Sequence, residues 1–169
     1  QAQPQPKAIQ AILPPKDPSV RSWQAYRARF VEPNRIEGGL RFWQAYRQTL
    51  EAARRTYGVP EEIIVAIIGI ETIYGRNVGK FPALATLATL AFDYPPRAAL
   101  FRRELEALLL LARESHRSPI AYSGSYAGAL GIPQFLPSSI RNWGVDFDED
   151  GQVDLAASSA DAIGSVANF

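Results

Sequence analysis

Gly58-Val59-Pro60-Glu61-Glu62-Ile63-Ile64-Val65-Ala66-Ile67-Ile68-Gly69-Ile70-Glu71-Thr72 carries the strongest helix signal in the chain. Pro60 suits the first position of a helix, where its missing N–H would have had no partner. Glu61 and Glu62 put negative charge at the positive end of the helix dipole. From Ile63 the run is apolar nearly all round, which predicts a buried helix ending by Gly75. One residue departs from that pattern. Positions 64, 67, 68 and 71 share a face, so Glu71 carries a carboxylate into apolar surroundings. Desolvation disfavours its charged form and raises its pKa. A pKa raised toward neutrality is what a general acid needs to protonate a glycosidic oxygen. The plain alternative is a structural carboxylate satisfied by Arg76 or by nearby hydroxyls, since isolated buried carboxylates are costly. These residues alone do not choose between the two.

Working outward, residues 1–17 are rich in Gln and Pro and read as an extended arm. Residues 18–57 read as an N-terminal helical segment. Its aromatic stripe, Trp23, Tyr26 and Phe30, is broken at Val31-Glu32-Pro33-Asn34. Trp23-Gln24-Ala25-Tyr26-Arg27 recurs as Trp43-Gln44-Ala45-Tyr46-Arg47. Two copies are too few for a solenoid; either two aromatic helices share a core, or one tyrosine faces a ligand groove. Residues 58–169 read as the main core. A short apolar helix is expected over Thr86–Ala91 and a long amphipathic one over Arg97–His116. Ser118–Gly128 reads as loop, and Gly131–Trp143 as a short helix around Gln134 and Phe135. Strand signals are few, so the fold class is mainly α.

The chain has 169 residues, 47% hydrophobic and 21% charged, with net charge +1. That suits one domain with a sizeable core and argues against a nucleic-acid partner held through phosphates. There is no Cys and a single His, His116. Disulfides, thiolate sites and a Cys nucleophile are excluded, and a Ser-His triad has little room. No organic cofactor is expected. There is no Met, so the chain reads as a processed product beginning at Gln1. No stretch approaches the roughly 18 apolar residues needed to span a bilayer.

Asp146-Phe147-Asp148-Glu149-Asp150-Gly151-Gln152-Val153-Asp154 matches the start of an EF-hand loop. Side-chain oxygens fall at positions 1, 3 and 5, a turn glycine at 6, and the Gln152 carbonyl at 7. Position 12 is Ala157 where a bidentate Glu belongs; Asp161, four residues on, is expected to close the site. A solvated acidic turn is the alternative. Clustered like charges repel unless a cation neutralises them, so a structural Ca²⁺ is expected. A glycosidase using two carboxylates would need a partner for Glu71 within about 5–9.5 Å. Asp93 is the one candidate, and a helix-end role suits it better.

Taken together, these segments resemble the lytic murein transglycosylase B family, of the membrane-bound type. The resemblance is carried by Tyr57–Arg76, by Ala85–Pro95, by Gly124-Ser125-Tyr126-Ala127-Gly128 through Gln134-Phe135 to Ser139, by the acidic loop, and by Asp161–Asn168. It implies a lysozyme-like helical core acting on peptidoglycan glycan strands in the periplasm or envelope. Glu71 would be the lone catalytic acid/base, and Ser125, Gln134, Phe135 and Tyr26 would bind substrate. Asp146, Asp148, Asp150, Gln152 and Asp161 would hold Ca²⁺. The implied reaction cleaves the MurNAc-β-1,4-GlcNAc bond without water and leaves 1,6-anhydromuramoyl ends. A hydrolytic muramidase and a calcium-stabilised, non-catalytic peptidoglycan-binding fragment are the rivals. The resemblance also leaves room for a lipid anchor outside this chain and for cell-wall enzyme partners. Family members run well past Asn168, so the core is expected to be incomplete at its C-terminus.

Overall fold

The computed structural model describes residues 3–14 and 22–169. Its elements are α1 (Pro6–Ile12), α2 (Trp23–Ala28), α3 (Pro33–Ala45), α4 (Arg47–Tyr57), α5 (Glu61–Thr72), β1 (Phe81–Pro82), α6 (Ala83–Asp93), α7 (Ala98–Glu114), β2 (Ser123–Gly124), α8 (Pro137–Trp143) and α9 (Ser159–Asn168). The only sheet among the described residues is β1 and β2, antiparallel, with Phe81 opposite Gly124. The architecture is mainly helical.

Helices α6 and α7 form the broadest helix pair, and α8 lies across α7. Leu87 and Leu90 of α6 and Phe101, Leu108 and Leu111 of α7 are buried. A second layer is made by α4, α5 and α9, with Leu50, Ile64, Ile68 and Ile163 fully buried. The layers share one apolar core. Glu104 of α7 is 4% exposed. Its two carboxylate oxygens accept from Ser138 N (3.0 Å) and Ser138 Oγ (2.7 Å). That satisfies the free amide end of α8, which Pro137 opens, and it places negative charge at the positive end of the helix.

Three expectations are corrected. The arm is not extended throughout, because Pro6–Ile12 is helical. Pro6 opens the helix, and the seven residues to Ile12 hold no further proline. Ala8 is buried, and Gln5 N donates to Thr89 Oγ1 of α6 at 2.9 Å. The second correction concerns α5. Ile64, Val65 and Ile68 face the core, but Ile63, Ile67 and Ile70 are 38–49% exposed. The third concerns Gly131–Trp143, where the helix begins only at Pro137. Gly131 and Gln134 take φ of +70° and +54°, and Leu130 and Phe135 exchange backbone hydrogen bonds of 2.8 and 3.1 Å. A tight left-handed turn therefore occupies the first half. The apolar helix expected over Thr86–Ala91 extends to Ala83–Asp93.

Candidate active site

The site grows from the last turn of α5. Thr72, fully buried, donates its hydroxyl to Ile132 O at 2.7 Å and accepts from Gly75 N at 3.0 Å. One side chain thus ties the end of α5 to the Leu130–Phe135 turn. Glu71 stands beside it, at the wall of a pocket of about 290 Å³ shared with Ile67, Gln134, Phe135, Ser139 and Phe169. Pocket and carboxylate lie on the exposed face of α5, because the apolar residues on the opposite side are consumed by the core.

Glu71 lies at the rim of the apolar surroundings and is open to solvent on one side. The apolar walls on its inner side still raise its pKa above the usual carboxylate value, through desolvation. Among the described residues it has no ion-pair partner, Arg76 included. A carboxylate desolvated on one side and open on the other can hold a proton and meet a ligand.

Gln134 and Phe135 are brought to this pocket. The left-handed backbone at Gln134 turns its side chain inward, and Nε2 donates to Val78 O (3.1 Å) and Gly131 O (3.0 Å). Those bonds fix the amide, and among the described residues its oxygen has no donor. Phe135 is 9% exposed, with its ring 5.2 Å from that of Phe169. Ser125 and Tyr26 are not brought there. The Ser125 hydroxyl accepts from Ala127 N (3.2 Å) and Ala129 N (3.1 Å), shaping the turn between β2 and Leu130. Tyr26 is 54% exposed on α2, its ring 6.1 Å from Trp23 and 4.9 Å from Phe30. Its counterpart Tyr46 lies in the hinge between α3 and α4, packed on Phe42 at 4.7 Å. Asp93 ends α6 and borders a separate small pocket with Phe92 and Pro4. Sequence reasoning missed Thr72, Ser139 and Phe169. A threonine on the core side of an apolar helix was the available signal for the first.

In the acidic loop, Asp146, Asp148 and Asp150 bring one carboxylate oxygen each within 4.8 Å of one another. Asp146 accepts from Asp150 N (3.1 Å) and Gly151 N (2.8 Å), and Gly151 takes φ +93°. An all-oxygen set of this kind fits a hard divalent cation. Asp161 is 1% exposed, and its oxygens accept from Phe147 N and Asp154 N, both 2.8 Å. It stands three residues into α9 after Ser158, whose hydroxyl accepts from Asp161 N at 3.1 Å. Asp161 therefore braces both arms of the loop from behind and does not join the cluster.

A family model for the transglycosylase SLT domain matches residues 1–169. Membrane-bound lytic murein transglycosylase B of Escherichia coli (strain K12) is 47% identical over 159 residues, 94% of this chain and 44% of the relative. The soluble lytic transglycosylase SltB1 of Pseudomonas aeruginosa superposes with TM-score 0.94 at 48% identity, over 99% of this chain and 56% of that one. The Escherichia coli lytic transglycosylase Slt35, solved in complex with calcium, superposes with TM-score 0.89 at 43% identity, over 99% and 53%. The chain thus spans about half the length of these relatives, and its helical core is of their lysozyme-like kind. Among the described residues, no helix is long and apolar enough to cross a membrane.

Proposed function

The chain belongs to the transglycosylase SLT domain family, and on that premise we propose that it cleaves peptidoglycan glycan strands with Glu71 as its single acid/base. The observation that carries the reading is a lone carboxylate, with pKa raised by desolvation, at the mouth of a pocket walled by Gln134 and Phe135. Protonated Glu71 gives its proton to the oxygen linking MurNAc C1 to GlcNAc C4, and that C1–O bond breaks. The C6 hydroxyl of the same MurNAc then attacks C1 and yields its proton to the Glu71 carboxylate. The product is a 1,6-anhydromuramoyl end, water is not consumed, and Glu71 is returned protonated. A second enzymic carboxylate is unnecessary because the nucleophile belongs to the substrate.

Gln134, through its free amide oxygen, would accept from the acetamido N–H, and Phe135 would form the apolar floor of the subsite. Ser125 would act indirectly, by holding the turn before Leu130. Tyr26, on the exposed stripe of α2, would meet the strand away from the scissile bond. A Ca²⁺ would be held by Asp146, Asp148, Asp150 and the Gln152 carbonyl. It would neutralise the loop's charge and stiffen it against α9, with no part in the chemistry. Acting on such glycan strands, the protein would work in the cell envelope, on its periplasmic side; a relative is membrane-bound by name. The experiment is digestion of purified sacculi by the parent and by Glu71→Gln, followed as release of soluble muropeptides. Release by the parent alone supports the reading. Retained binding without release by either protein overturns it in favour of a binding module.

A further inference from the structure

We propose that Arg35 and Tyr74 form a positioning clamp that holds the last turn of α5, and with it Glu71, from the α3 side. This rests on the acid/base reading of Glu71. Helix α5 ends unlike its neighbour. Helix α4 closes on Gly58, at φ +77° with open space around it. Helix α5 closes on Ile73 at φ +54° and Tyr74 at +59°, before Gly75 at +81°. Left-handed backbone at a β-branched residue persists only where the surroundings over-determine it.

Those surroundings are a slot one ring wide. A Cβ added to Gly38 would lie 3.0 Å from Tyr74 Cε2, one on Gly39 2.6 Å from its Oη, and one on Gly69 2.5 Å from Oη. Two of these glycines belong to α3 and one to α5, so the Tyr74 ring is wedged where the two helices cross. Phe42 backs it, with ring centroids 5.5 Å apart. The Tyr74 hydroxyl donates to Arg35 O at 3.0 Å. Arg35 returns across the gap, as Nη1 donates to Gly69 O at 2.6 Å and reaches Ile70 O at 3.5 Å. These are last-turn carbonyls, and the Ile70 carbonyl belongs to the peptide that carries the Glu71 N–H. A guanidinium there also complements the negative end of the helix dipole. Thr72 fixes the same turn from the other side through Ile132 O, so Glu71 sits between two anchors. Burial pushes the Tyr74 hydroxyl pKa up, with Arg35 pulling the other way; the phenol remains a neutral donor. Among the described residues, the pocket that Glu71 borders is lined by no other titratable side chain, and Arg35 and Tyr74 reach Glu71 through the α5 backbone, not through its carboxyl.

The test uses the full chain with Tyr74→Phe, which keeps the ring in its slot, and Arg35→Lys, which keeps the charge but loses the planar fork. The Glu71 carboxyl is titrated by ¹³C NMR, and glycan cleavage is followed alongside. The clamp predicts that both variants lower the Glu71 titration midpoint toward the ordinary carboxylate range, as the loosened turn lets in water. It also predicts that kcat falls about tenfold or more with KM within about twofold, the signature of lost alignment. An unchanged Glu71 midpoint in both variants, with only a lower melting temperature, overturns the clamp and leaves a purely structural contact. A parent that cleaves no glycan sinks the proposed function instead, and the NMR titration still decides the clamp.

Discussion

Replacing Thr72 by Val tests how the site is joined to the core. The side chain is fully buried, and Val matches its shape while removing the hydroxyl. Two groups then lose their partner: Ile132 O, held at 2.7 Å, and Gly75 N, held at 3.0 Å. An unsatisfied buried group costs about 1–3 kcal/mol. Gly75 is half-buried and recovers part of its loss from water, so the sum is about 2–4 kcal/mol. For a chain of this size, that lowers the melting temperature by about 5–15 °C. Urea unfolding followed by circular dichroism should show a lower midpoint with an unchanged slope. Thr72→Ser, which keeps both hydrogen bonds and loses one methyl, should cost only about 0.5–1.5 kcal/mol. A Thr72→Val protein within about 0.5 kcal/mol of the parent would refute the hydroxyl bridge between α5 and the Gln134 turn.

Glu71→Gln should stabilise the fold at neutral pH. The folded pKa lies above the unfolded value, so the parent loses stability as pH rises from the unfolded toward the folded pKa, and the gain should vanish below about pH 4, where both forms are protonated. Melting curves at pH 3.5 and 7 read this directly. Calcium added to chelator-treated protein should raise the melting point, with a linkage gain of about 2.7 kcal/mol at a hundredfold excess over Kd; in Asp148→Ala the gain should shrink. Gly69→Ala should destabilise by about 1–3 kcal/mol through overpacking against the Tyr74 hydroxyl, although alanine is the better helix former; a thermal melt above the parent's would contradict the slot.

The helix bearing Glu71 was legible because Pro60, two acidic residues and an unbroken apolar run agree locally. Which face it buries was not legible. With isoleucine on both sides of the helix, periodicity names no inner face, and contacts from α4 and α9 decide it. The Gln134 turn misled because its left-handed residues pair with partners fixed by tertiary contact, and the Leu130–Phe135 closure leaves no helical or strand period. Helix α1 was obscured by flanking prolines that bound a seven-residue window. Asp161 carried a readable signal, since Ser158 followed three residues later by an acid is a capping pattern. The same residue also fits a ligand position, and the two backbone amides it accepts from were not legible because they come from the far side of the loop. The first half of the repeat went to an exposed stripe and the second to a hinge, so equal sequences took unequal burial.

In the proposed reaction the nucleophile belongs to the substrate and water takes no part. Sacculi digested in H₂¹⁸O, with the glycan ends identified by mass spectrometry, test it most directly. The parent should give anhydromuramoyl ends free of ¹⁸O, and Glu71→Gln none. Reducing MurNAc ends carrying one ¹⁸O would contradict it and make the protein a hydrolase.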